Sequence, residues 1–177
     1  DGANGLPSIT SDITIEGHGA TIERSDAPGT PRFRILHVSS AGNLVVNDLT
    51  VRNGFLPAGA GGGILSRGTL TVSNSTISGN RTRDGSGGGI FNTRGTATVT
   101  DSTISGNLAD VYGGGIFTTG GTVTVRNSTV SGNVGWEGNG IANEYGTLTI
   151  TNSTISDNRA GGWGSGGGIL NSGGTVT

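Results

Sequence analysis

GGGIFNTRGTATVTDSTISGN, residues 87–107, is the unit in which this chain is written, and nearly the same text recurs from residue 61 onward. Ile64, Ile90, Ile116, Ile141 and Ile169 follow glycine-rich clusters at intervals of 26, 26, 25 and 28 residues. Asn80, Asn107, Asn133 and Asn158 close an S-G-N or S-D-N signature at intervals of 27, 26 and 25. A fixed period of this size marks a repeat architecture, in which each unit buries its apolar face by stacking on its neighbour.

Within the unit, three short runs alternate apolar and polar residues with the period of a strand. They are Ile90 with Phe91, then Thr96 to Val99, then Ser102 to Ser105. Asn, Gly and Asp separate them, the residues that tolerate turns and left-handed backbone. No segment offers ten residues at helical spacing. The expectation is three strands and three corners per unit, wound as one turn of a parallel β-helix with strands about 4.8 Å apart between coils. Alternation then assigns inward columns: Leu70, Ala97, Val123, Leu148 and Val176; Val72, Val99, Val125 and Ile150; Ile77, Ile104, Val130 and Ile155, with Ser75, Ser102, Ser128 and Ser153 beneath. Each buried Val or Ile contributes about 1.5–3 kcal/mol. Asn53, Asn80, Asn107, Asn133 and Asn158 are expected to form an internal ladder, each amide donating to the next coil.

The chain of 177 residues suits one extended all-β domain, residues 1–177, of about six coils. Its 37 Gly accompany only four Phe, two Tyr and two Trp, so an aromatic-rich core is excluded. High glycine can signal disorder, but here the glycines recur at fixed places in a β-rich frame. Net charge is −2, and the ten basic residues are all Arg and scattered, which argues against a nucleic-acid-binding stripe. Zero Cys removes disulfides, thiol catalysis and thiolate metal sites. No apolar run approaches the length of a membrane span, and no signal-peptide pattern is found. Because the text opens abruptly and stops inside a repeat, a trimmed piece of something longer is expected.

Residues 1–60 are a degenerate version of the repeat. Ile13 and Ile15, then Ala20 and Ile22, read as two strands around Gly17-His18-Gly19; a Pro/Gly loop follows at 25–31. Leu44, Val46, Leu49 and Val51 carry the pattern into the regular coils of residues 61–177, whose last coil is truncated. The final strand edge has no charged guard, and such an edge pairs readily with another chain.

The alternation of GGGI (61–64, 87–90, 113–116, 166–169) with I/V-S-G-N (77–80, 104–107, 130–133) resembles the GGA[ILV] and FxxN repeats of the polymorphic outer-membrane protein family. It is also similar to the N-S-T-I-S-G-N repeats of large bacterial cell-surface β-helix proteins. The resemblance covers about two-thirds of the chain and implies a right-handed, single-stranded parallel β-helix. It further implies a secreted or surface-displayed, adhesive or self-associating role, and carries over no catalytic residue. Gly stands where that family has Ala, Ile or Val where it has Phe, and Gly138-Asn139-Gly140 interrupts one glycine cluster.

Candidate chemistry gathers in the corner after each Asn. Asp84, Asp110 and Glu137 fall four, three and four residues beyond Asn80, Asn107 and Asn133. If stacked, they would fall in the range of glycosidase carboxylate pairs; read plainly, they are solvated loop acids with only Arg81, Arg83 and Arg159 nearby. Tyr112, Trp136 and Trp163 occupy the same corner of successive coils and could stack sugar faces or bury against a neighbour, or fold back over their own coil. Outward Thr forms two columns, Thr69, Thr96, Thr122, Thr147 and Thr175 beside Thr71, Thr98, Thr124, Thr149 and Thr177. That T-x-T array resembles the flat face of ice-binding β-helices, although Thr is also the best polar residue for an exposed strand. Arg67, Arg94 and Arg126 lie near its rim. His18 and His37 have no partner cluster in the sequence, no metal or cofactor site is legible, and the calcium-repeat pattern G-G-x-G-x-D is absent. The expected protein is a non-enzymatic extracellular or bacterial cell-surface rod, self-associating end to end or serving as an adhesin stalk. Its partners are other copies of itself or surface glycans. The alternatives are a polysaccharide-binding or polysaccharide-cleaving β-helix, and an ice-binding one.

Overall fold

The computed structural model describes residues 2–161, 164 and 167–177. Trp163 lies outside the described residues, as does Gly166. The chain winds into about six coils whose parallel strands stack in register into three sheets, with no helix among the described residues. A glycine face carries Ile64–Ser66, Ile90–Thr93, Ile116–Thr119, Ile141–Glu144 and Ile169–Ser172. A threonine face carries Thr69–Ser73, Thr96–Thr100, Thr122–Arg126 and Thr147–Thr151. A serine face carries Thr76–Ser78, Thr103–Ser105, Thr129–Ser131 and Thr154–Ser156. The threonine and serine faces belong to one bent sheet because a single strand, Asn43–Arg52, pairs with both. At the bend, Asp48, Asn74, Asp101, Asn127 and Asn152 all adopt positive φ, between 46 and 50°. Asn and Asp tolerate this left-handed region better than other side chains.

The expected three strands per coil become four. After each ladder position a two-residue strand forms, as in Phe55–Leu56, Arg81–Thr82, Leu108–Ala109, Val134–Gly135 and Arg159–Ala160. Two residues are too few to show an alternation, so only stacking on the next coil reveals them. The inward columns run unbroken: Ile13, Leu44, Leu70, Ala97, Val123, Leu148 and Val176 are successive partners in register.

Asparagine fills one interior corner. Asn80 Nδ2 donates to Asn107 Oδ1 at 3.0 Å, Asn107 to Asn133 at 3.0 Å, and Asn133 to Asn158 at 2.9 Å. Each Oδ1 also accepts the backbone N–H of the preceding Asn, and each second amide proton goes back to a carbonyl of the coil before, as from Asn107 to Ile77 at 2.9 Å. Every polar atom of a buried ladder amide is therefore used, which removes the desolvation cost of putting it there. The glycine clusters make room for it. A Cβ on Gly89 would stand 2.6 Å from the Gly115 carbonyl oxygen and 3.0 Å from the Asn107 amide, so GGGI and SGN are two halves of one packing arrangement.

Asn53 is not part of that ladder. Arg52 pairs with Ser78, which sets Asn53 beside Gly79 and Gly54 beside Asn80. Asn53 adopts φ 61° and turns its amide toward Asp26, 3.3 Å away, while Gly54 N–H meets Asn80 Oδ1 at 2.9 Å. Two more polar columns line the interior. Ser75, Ser102 and Ser128 each donate to a carbonyl two residues back and accept an N–H from the coil before. On the glycine face, Ser66, Asn92, Thr118 and Asn143 stack and are buried.

The first winding is built differently. Asp12–Glu23 is one long strand with an irregularity between Glu16 and Ala20, not two strands. Residues 2–11 complete the first glycine face through bridges from Asn4 to Arg34 and from Ile9 to Val38. Beneath them His37, isolated in the sequence, has close partners. Arg67 Nη1 donates to its Nε2 at 2.9 Å, so Nδ1 carries the proton and donates to Ser8 Oγ at 2.8 Å. Burial, then the cations Arg34 and Arg67, hold the His37 pKa down from 6.5 to about 4. Burial likewise lowers Arg34 to about 10, while its guanidinium reaches Asn4 Oδ1 and the carbonyls of Ala60 and Gly61.

Candidate functional site

The corner after the fourth strand varies in length, and over three successive coils it has four residues (83–86), three (110–112) and two (136–137). Register across it is fixed at its far end, where Gly87 N–H donates to the Tyr112 carbonyl and Gly113 N–H to the Glu137 carbonyl. Ser86, Tyr112 and Glu137 are thus the last residues of successive corners; Ser86 Oγ accepts the Tyr112 N–H, and Tyr112 bridges Glu137.

That register puts the three acids at different places in their corners. Asp84 is exposed at φ 52° inside the four-residue corner, Asp110 is exposed at the start of the next, and Glu137 is half-buried at the end of the third. Their offsets from the ladder asparagines do not translate into a stack, because the corners differ in length. The aromatic residues also part. Trp136 lies outward at 43% exposure. Tyr112 turns back onto Phe117, ring centroids 5.7 Å apart, and Phe117 meets Phe91 at 5.1 Å.

These rings cover an apolar stripe on the outside of the glycine face: Leu65, Phe91, Phe117, Ala142 and Leu170 in register. The stripe was missed in the sequence, where its residues look like the second letter of a short inward strand. Beside Ala142 it opens into a cleft of about 100 Å³, lined by Tyr112, Phe117, Leu170, Glu137 and Glu144 among others.

The threonine columns are in register from Thr69 to Thr175 and from Thr71 to Thr149. A third outward column beside them holds Ser73, Thr100, Arg126 and Thr151, which puts the Arg126 guanidinium on the face itself. No group of three or more metal-ligating side chains occurs among the described residues, and no helix is long and apolar enough to cross a membrane.

Stacked parallel strands, a continuous aliphatic interior and an asparagine ladder together specify the architecture, and residues 11–177 match the profile of right-handed β-helix regions. The chain belongs to the right-handed β-helix family. No curated protein and no solved structure matches it. In this β-helix the ladder and the glycine face build the frame, while the corner of variable length supplies the residues that differ from coil to coil.

Proposed function

We propose that this β-helix is a non-enzymatic structural element, displayed outside a bacterial cell, whose copies join end to end. One observation carries the reading. Ile13 and Val176 occupy the two ends of the same inward column, yet they are 42% and 40% exposed, while every member between them is at most 1% exposed. Leu6 at one end and Ile169 at the other are exposed as well. Among the described residues the end strands Asp12–Glu23 and Thr175–Val176 each pair along one edge only, and an unpaired parallel edge is a template for another strand. A second copy placed head to tail continues the column from Val176 to Ile13 and pairs the edges, and such a heterologous contact propagates as an open filament. A continuation of the same chain would complete the columns by the same geometry; the occupant proposed here is another copy. The likeness of the repeats to those of polymorphic outer-membrane proteins supports surface display.

Light scattering of the 177-residue chain over days at high concentration, with electron microscopy of the same sample, tests the proposal. Growing rods are expected, and Val176→Lys is expected to stop growth by placing a charge in the joint. A monodisperse monomer throughout would overturn it.

A further inference from the structure

The cleft exists because one coil breaks the repeat at three outward positions. Tyr112, Phe117 and Thr119 are followed in the next coil by Glu137, Ala142 and Glu144 at the same register positions. Two rings are lost, leaving a hollow beside the remaining Tyr112 and Phe117, and two carboxylates are gained around it. Neither Glu137 nor Glu144 is paired with a cation among the described residues. The floor is fixed closely from above. A Cβ on Gly138, at φ 58°, would stand 2.7 Å from the Cβ atoms of both Ala142 and Leu170, so only glycine fits above them.

We propose that this cleft binds the guanidinium group of an arginine side chain presented by a partner protein. The chemistry on the walls selects it. A cleft of about 100 Å³ is well below the size that takes a whole organic ligand and suits one side-chain head. Guanidinium is planar and weakly hydrated, stacks on an aromatic face, and forks toward carboxylates. Lysine lacks the planar stack, and a neutral planar amide lacks the charge. The cleft takes Leu170 and Ser172 from the last glycine-face strand, next to the end-to-end joint, but Val176→Lys blocks the joint without changing a residue that lines the cleft, so the two proposals fail separately.

The test is an NMR titration of the ¹⁵N-labelled protein with N-acetylarginine methylamide, alongside its lysine and citrulline counterparts. Saturable shifts confined to residues around 112, 117, 137, 142 and 144 are expected for the arginine probe, with about tenfold weaker binding for citrulline. Glu137→Gln combined with Glu144→Gln is expected to weaken the arginine probe by about tenfold or more. Ala142→Phe restores the ring of the preceding coil and is expected to abolish binding with the backbone spectrum otherwise retained. If that variant does not fold, Glu144→Gln alone carries the test, with a severalfold loss expected. Equal binding of arginine and citrulline probes, no saturable shift at all, or unchanged affinity in the carboxamide variants would overturn the proposal.

Discussion

From Asn80 to Asn158 each buried ladder amide bonds to its own kind in the next coil, whereas before residue 60 the buried His37 and Arg34 have partners of other kinds. Asn107 lies between Asn80 and Asn133 in an amide chain. His37 lies between Ser8 and Arg67, and Arg34 reaches Asn4 and two carbonyls. The regular coils gain from repetition, since one solved packing problem serves every coil. In the first winding, residues 2–11 lie beside Arg34 and Val38 through two parallel bridges, and the partners there are individual. A ladder fails wherever a rung is cut; a local cluster fails only with its own members.

The largest expected effect comes from cutting the ladder in its middle. Asn107→Ala leaves the Asn80 amide and the Asn80 N–H without their buried acceptor, and urea denaturation should show a loss of about 3–5 kcal/mol. Next is the contrast between the middle and the end of the solenoid. Ile104→Ala opens a cavity in a fully buried column and should cost about 2–5 kcal/mol, whereas Ile13→Ala, at a site already 42% exposed, should cost under about 1 kcal/mol. Third is the acid response of the first winding. Unfolded His37 takes a proton near pH 6.5 and folded His37 only near 4, so the unfolded state binds more protons between those values. Stability should therefore fall as pH drops from about 6.5 to about 4, with hydrogen exchange rising first in residues 2–11. His37→Asn should remove that slope, while the coils from residue 87, beyond its partner Arg67, stay indifferent to it. The smallest effect belongs to Asn53→Gly. At φ 61° and outside the ladder it should change stability by under about 0.5 kcal/mol, against several for the same residue type at 107. Equal costs at 53 and 107 would erase the distinction between the two regions.

The frame was legible because its signals are one-dimensional. Period-two alternation sets which of Thr96 to Val99 face inward, and the 26-residue period sets which residues stack. The left-handed corners were visible only as composition. What was misplaced follows from counting along the chain. Asn53 ends a V-R-N run that imitates I-S-G-N, yet the signature needs one more residue before its Asn, so it stops one place short. Asp84, Asp110 and Glu137 lie at similar offsets from their asparagines, yet corners of four, three and two residues carry them to different register positions. His37 looked solitary because Ser8 and Arg67 lie 29 and 30 residues away.

The amino-acid order by itself determined the winding: a chain that alternates every two residues and repeats every 26 buries its aliphatic side chains only by stacking coil on coil. The tertiary structure alone decided which residues meet across the variable corner, and so where the fourth strand forms and where Tyr112 and Phe117 give way to Glu137 and Ala142. The physical reason is that register is set by hydrogen bonds between coils, downstream of each corner, and no spacing measured within one coil contains that information.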